Sequence, residues 1–326
     1  MQYKKVARIE EEISAIGIGC WNFGGDWDTS SDDNAIAIVH AAVDNGVNLF
    51  DVAPVYGWHH AERVLGRALQ GGLRKKVLIA SKCGLVWDDK HVTVNDLSRA
   101  NILREIDQSL ERLQTDYIDI YQLHWPDPKT PIAETAQALS EIKKAGKIRH
   151  VGLSNFSQAD VETFMTMIDI DSQQGLYNML ERNATSYHNI PLVYRTEDEM
   201  LPTVKKYGQA FLPYSPLFQG LLAGKFKLEN NFSARDIRNE NPKLSGEAFK
   251  FYYQGYEKIK AVADGLGRPV NELAINWLRQ KPEVTTIIGG ASSIAQLEKN
   301  ISAIGWDIPA DALAALETIL SPYKDQ

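Results

Sequence analysis

Eight short apolar runs, each followed by a helix-like stretch, constrain this chain more than any other feature. They are "AIGIGC" (15–20), "NLFDVA" (48–53), "VLIASK" (77–82), "YIDIYQLH" (117–124), "HVGLSN" (150–155), "SQQGLYN" (172–178), "AFLPYSP" (210–216) and "VTTIIGG" (284–290). Short continuous runs of this kind read as strands buried on both faces. The segments between them carry helical spacing. In 97–113, Ile102, Ile106, Leu110 and Leu113 share one face. The segment 132–147 ends in basic residues around Gly146, and Ser157 is placed to cap a helix within 156–168. Strands that alternate with helices pair in parallel through crossovers, and eight of them close a barrel. The expected fold is therefore α/β, a (β/α)8 TIM barrel over 1–326 as one domain. The opening "YKKVARIEEEISA" is expected to be a short β-hairpin closing the barrel floor.

Composition removes several classes of partner. The 326 residues are 44% hydrophobic and 24% charged, as in an ordinary globular protein. A net charge of −7 argues against nucleic acid or an anionic membrane as partner. The two cysteines, Cys20 and Cys83, make no disulfide framework and fit a reducing compartment. The charged N-terminus lacks an apolar signal core, and no run approaches the length of a membrane span. The expected location is the cytoplasm.

Chemistry in such a barrel sits at the carboxyl ends of the strands. Asp51 ends the second run, Lys82 the third and His124 the fourth, and Tyr56 lies on the loop after Asp51. Side chains alternate along a strand, so Leu49 with Asp51, Ala80 with Lys82, and Gln122 with His124 share faces. Taken singly, Asp51 can cap a helix, Lys82 can reach solvent, and His124 and Tyr56 can simply pack. Taken together they converge on one barrel mouth. Asp51 then pairs with Lys82, the ammonium lowers the pKa of Tyr56, and the phenol gives a proton to a carbonyl oxygen oriented by His124. No side chain supplies hydride, which leaves that part to a nicotinamide cofactor. A Gly-x-Gly-x-x-Gly fingerprint is absent, because Asn22 stands where its third glycine would be.

At this point the chain resembles the aldo-keto reductase family over nearly its full length. The resemblance rests on "FDVAPVYG", "IASKCG", "YQLHWPD", "VGLSNF" (151–156), "QQGLYN" (173–178), "YSPLFQGLLAGKF" (214–226) and "IIGGASSIAQLEKN" (287–300), in family order. It implies a catalytic tetrad of Asp51, Tyr56, Lys82 and His124. It implies that Ser154, Asn155 and Gln174 hold the nicotinamide carboxamide and that Tyr214 stacks on the ring, with Trp21 and Asp51 beside it. Ser215, Leu217, Gly220 and Leu222 would line the pyrophosphate path, with Lys225 and Arg238 meeting phosphate charge. Gly290, Ser292, Gln296 and Asn300 would hold the adenosine end.

The departures from the family pattern matter too. Ser292 stands where many relatives carry a basic residue against the adenosine 2′-phosphate, and Lys299 where an acidic one meets the adenine. NADPH is the expected cofactor, with NADH possible because the bidentate grip of an arginine is missing. His59 and Ala61 replace the usual glycine and serine, while Glu62 is retained. Trp58, His59, Trp87 and Trp125 are the expected substrate walls, suited to a small aldehyde, ketone or sugar. Two rival readings remain open here: a nicotinamide-binding sensor or regulatory subunit with low turnover, and a Schiff-base lyase using Lys82.

Overall fold

The computed structural model describes residues 1–25, 31–224, 226–227 and 236–326. Its centre is an eight-stranded parallel sheet of β1 (Ile16–Gly19), β2 (Leu49–Asp51), β3 (Leu78–Cys83), β4 (Ile118–Leu123), β5 (Ile148–Ser154), β6 (Ser172–Leu176), β7 (Ala210–Tyr214) and β8 (Ile287–Gly289). Each strand from β2 to β7 lies beside its predecessor, and β8 pairs with β1. The remaining seam, between β7 and β8, is bridged by Thr285. Its amide donates to the Phe211 carbonyl at 2.9 Å, and its hydroxyl accepts the Phe211 amide at 3.1 Å. The chain is a (β/α)8 barrel.

The eight strands follow the apolar runs of the sequence, save that β3 runs one residue further, to Cys83, and β5 begins two residues earlier, at Ile148. Their alternation is plain. Leu49, Leu78, Ala80, Ile120, Ala210, Leu212 and Ile288 form one cluster inside the barrel. Phe50, Ile79, Cys83, Tyr121 and Leu123 point outward into the layer under the helices. The N-terminal hairpin, Tyr3–Val6 against Ile9–Ser14, sends Ile9 and Ile13 into the interior cluster and so plugs the floor. Burying each of these side chains contributes about 1.5–3 kcal/mol.

Four of the helices begin at a serine that caps them. Ser31, Ser98, Ser157 and Ser293 each accept the amide three residues ahead. The helix Arg99–Leu113 buries Ile102, Ile106 and Leu113, and Leu110 packs partly exposed against the same cluster. Helix Ile132–Lys144 is followed by Gly146 at φ +76°, a left-handed stop. With the floor sealed and the wall covered, the open end is the carboxyl end of the strands.

Candidate active site

Three consecutive strands deliver the first polar group. Register pairs Asp51 with Ala80 and Lys82 with Gln122, so Asp51, Lys82 and Gln122 point inward near the top of the barrel. Lys82 is fully buried and Asp51 only 3% exposed. Lys82 Nζ donates to Asp51 Oδ1 at 2.7 Å, to the Val52 carbonyl at 3.2 Å and to the Tyr56 hydroxyl at 3.2 Å. The other carboxylate oxygen, Asp51 Oδ2, accepts Gln174 Nε2 at 2.7 Å and Gln122 Nε2 at 3.3 Å. A buried charge is tolerable only when paired and hydrogen-bonded, and both conditions hold here.

Tyr56 reaches this cluster because of the turn just beyond it. Gly57 has φ +57°, and a Cβ built there would lie 2.0 Å from the Gly24 carbonyl oxygen. Only glycine fits that approach, and it sets the half-buried Tyr56 ring against Trp21, with centroids 5.9 Å apart. His124 stands edge-on to Tyr56 at 6.0 Å. Burial, reinforced by Lys82, holds the His124 imidazole well below its usual pKa, hence neutral. The Tyr56 phenol corrects the sequence expectation. Its pKa lies well above the usual value, first because of burial and then because of the Asp51 charge. The ammonium that should lower it is already matched by Asp51 at 2.7 Å. At rest the phenol is protonated.

The ends of β5, β6 and β7 supply a second group. Asn155, in left-handed conformation at φ +67°, accepts the Tyr194 and Tyr214 hydroxyls at 3.0 and 2.9 Å on one oxygen. Its amide nitrogen donates to the Ser154 hydroxyl at 3.0 Å and to the His124 carbonyl at 3.1 Å. Gln174 faces the first group instead, through Asp51. Burial pushes the Tyr194 phenol up to about 12, so that hydroxyl too is a donor. The Tyr214 ring is half-buried, with the Tyr187 ring edge-on at 5.1 Å.

Beyond Tyr214 the chain turns sharply. Ser215, Phe218, Gln219 and Gly220 all have positive φ, at 54°, 46°, 51° and 102°. Leu217 caps this turn through its carbonyl, which accepts the Gly220 and Leu222 amides at 2.9 and 3.1 Å, and the Leu222 side chain is fully buried. Arg238 folds back on Asp236, with its Nε 2.8 Å from Oδ1. Lys225 lies outside the described residues. At the top of β8, the Ser292 amide and hydroxyl both donate to Gln296 Oε1 at 3.0 Å, and the buried Asn300 donates to the Gly290 carbonyl at 3.2 Å. Gly290 itself is exposed at the rim.

A third group walls the mouth. Trp58 stacks on His91 with centroids 4.0 Å apart and meets Trp87 at 5.2 Å, and His59 meets Trp87 at 4.7 Å. Burial lowers the His59 pKa to about 4, with Arg112 and Arg63 adding to the shift. Trp125 packs partly exposed against the outer core on the other side. Sequence reasoning gave no part to Gln122, Tyr187, His91 or Tyr194. Gln122 was legible through its alternation with His124, whereas the other three sit on excursions from the barrel with no periodicity to read. Among the described residues there is no group of three His, Cys, Asp or Glu side chains able to hold a metal, and no helix long and apolar enough to cross a membrane.

Residues 15–321 match the Aldo/keto reductase family. The chain is 36% identical to "Aldo-keto reductase YhdN" of Bacillus subtilis (strain 168), covering 98% of this chain and 94% of that one. It is 31% identical to the "NADH-specific methylglyoxal reductase" of Escherichia coli (strain K12), covering 93% of each. Among solved structures it is similar to the glycerol dehydrogenase AKR11B4 from Gluconobacter oxydans. That likeness has a TM-score of 0.87 at 32% identity and covers 99% of this chain and 96% of that one.

Proposed function

The chain belongs to the aldo-keto reductase family, a nicotinamide-dependent oxidoreductase of carbonyls, and from that premise we propose that it reduces a small oxygenated aldehyde or ketone, with Tyr56 as proton donor. The observation that carries this reading is the Lys82 ammonium, 2.7 Å from Asp51 and 3.2 Å from the Tyr56 hydroxyl. The phenol starts protonated and so is loaded as a donor. As the proton leaves, the phenolate forms beside the Lys82 ammonium paired with Asp51, and Gln122 and Gln174 hold Asp51 in turn. His124, neutral, keeps one ring N–H with which to hold the carbonyl oxygen.

The polar groups at the ends of β5 to β8 fit a nicotinamide dinucleotide by their donor chemistry. Ser154 offers a hydroxyl for a carboxamide, Gln174 and Asn155 would meet it by sharing or exchanging their present partners, and the half-buried Tyr214 ring offers a stacking face. Trp21, Ser215, Leu217, Gly220 and Leu222 would mark the path toward Gly290, Ser292, Gln296 and Asn300. When bound, that cofactor supplies the hydride. We assign NADPH on the family resemblance, discriminated only weakly from NADH, because the serine that would meet a 2′-phosphate already spends its hydroxyl on Gln296.

The aromatic wall of Trp58, Trp87 and His59 suits a compact substrate carrying few charges. Methylglyoxal and glyceraldehyde are the natural probes: one relative is named for reducing the first, and the second is the aldehyde of the glycerol for which another is named. Buried thiols at Cys20 and Cys83 support a reducing, cytoplasmic setting. The test is nicotinamide absorbance with both probes and both cofactors, on wild type and on Tyr56→Phe. The variant is expected to lose about 10²–10⁴-fold in turnover and to bind NADPH as before. Wild-type turnover in the variant would refute the assignment of Tyr56.

A further inference from the structure

The loop that carries Trp87 and His91 into the mouth is tied at both feet to side chains behind the barrel wall. The loop is the antiparallel pair Leu85–Trp87 and Thr93–Asn95, framed by Gly84 and Asp96. Gly84 has φ +92°, and its carbonyl accepts the Asp96 amide at 3.0 Å, closing the neck. Glu105, on the helix Arg99–Leu113 and 5% exposed, takes the Gly84 amide at 2.7 Å on Oε2. The same oxygen takes Asn101 Nδ2 at 2.9 Å, and that nitrogen also donates to the Asp96 carbonyl at 2.7 Å. One buried oxygen thus grips the incoming strand directly and the outgoing strand through Asn101. On the far side, Asp127 Oδ2 accepts the Leu97 amide at 3.0 Å, and Asn95 donates to the Pro126 carbonyl at 2.7 Å.

We propose that Glu105 is a positioning residue for substrate recognition, setting the 84–97 loop so that Trp87 and His91 meet Trp58 and His59 over the pocket. A carboxylate costs free energy to bury and is worth keeping where its hydrogen bonds fix a geometry. Glu105 touches none of the proton-handling groups. Lys82 is held by Asp51 and the Val52 carbonyl, which do not depend on Gly84. Loosening the loop should therefore weaken substrate binding while sparing the chemical step. The inference rests on the substrate-pocket reading of Trp87.

The experiment compares Glu105→Leu with Glu105→Gln, whose carbonyl oxygen can still accept both donors. Methylglyoxal and glyceraldehyde are the probes, with NADPH dissociation constants and near-ultraviolet circular dichroism of the aromatic cluster measured alongside. Glu105→Leu is expected to raise KM about tenfold, from the loss of two hydrogen bonds to a buried acceptor. It should also flatten the aromatic signal and leave kcat and NADPH binding as in wild type. Glu105→Gln is expected to restore both. Asn101→Ala, which cuts only the outgoing strand, should raise KM in the same direction and serves if Glu105→Leu does not fold. An unchanged aromatic signal would overturn the role of Glu105 and leave the proposed function standing. A lost signal with unchanged KM would overturn the substrate reading of Trp87 and the inference with it.

Discussion

Replacing Lys82 with methionine separates what the buried ion pair does for stability from what it does for chemistry. Methionine keeps most of the length of the side chain and removes its charge. Asp51 would then remain 3% exposed with no cation, held only by the Gln174 and Gln122 amides at 2.7 and 3.3 Å. Breaking one side of such a pair costs about 3–5 kcal/mol, because the remaining charge stays buried. Adding Asp51→Asn removes that charge and keeps an oxygen for the Gln174 amide. The double variant should therefore be more stable than Lys82→Met alone by about 1–3 kcal/mol. The pH dependence has a definite sign. In Lys82→Met the buried Asp51 binds its proton more readily when folded than unfolded, so the deficit should shrink as pH falls. Urea denaturation monitored by tryptophan emission measures all three proteins, and nicotinamide absorbance should find both variants inactive. A Lys82→Met deficit below about 1 kcal/mol, or a double variant no more stable than the single, would refute the buried-pair reasoning.

Other parts of the site carry their own expected outcomes. Gly57→Ala puts a methyl where the Gly24 carbonyl oxygen lies 2.0 Å away. The turn must shift and carry Tyr56 with it, so kcat/KM should fall by about 10²-fold, and steady-state rates at near-native thermal stability check this. Ser292→Arg should raise the NADPH-to-NADH preference by about tenfold or more through a bidentate phosphate grip. Equal dissociation constants before and after would place the 2′-phosphate elsewhere. Burial pushes the Glu105 carboxyl from its ordinary 4.5 up to about 7, against the pull of the Gly84 and Asn101 hydrogen bonds. Its folded-state pKa is raised, so its contribution to stability is full below about 4.5 and is lost as pH rises to about 7. Glu105→Gln should remove that slope from a denaturation-versus-pH series, and an identical slope would assign it to another group.

The barrel and its polar mouth were legible because both rest on a two-residue period. Once Leu49, Leu78, Ala80 and Ile120 are placed inside, Asp51, Lys82 and Gln122 must point inside as well. Chain order then sets these strands side by side. Features that depend on burial and loop conformation were not legible. The direction of the Tyr56 shift depends on desolvation and on how fully Asp51 neutralises Lys82, which no spacing encodes. The left-handed Asn155 takes hydroxyls from Tyr194 and Tyr214, and Tyr194 lies on a long excursion with only two-residue strands. The Leu85–Trp87 and Thr93–Asn95 hairpin leaves no mark in the sequence because Val92 and Val94 are exposed, giving no buried face to read. The last strand is shorter than its apolar run because Thr285 and Thr286 spend their amides on Phe211 across the closing seam.

Asp51, Lys82 and Gln122 hang on β2 to β4, with Tyr56 and His124 on the loops after β2 and β4, while Asn155, Gln174 and Tyr214 belong to the later staves. Among the described residues, the Gln174 amide on Asp51 and the Asn155 amide on the His124 carbonyl stitch these groups across the mouth, while at the rim Asn22 and Asn34 donate to the Ala291 and Ser292 carbonyls. A chimera cut in the turn after Lys144, before β5 begins, would exchange one half of the mouth and keep the other. Residues 155 and 174, with 22 and 34 at the rim, are positions such a graft must match.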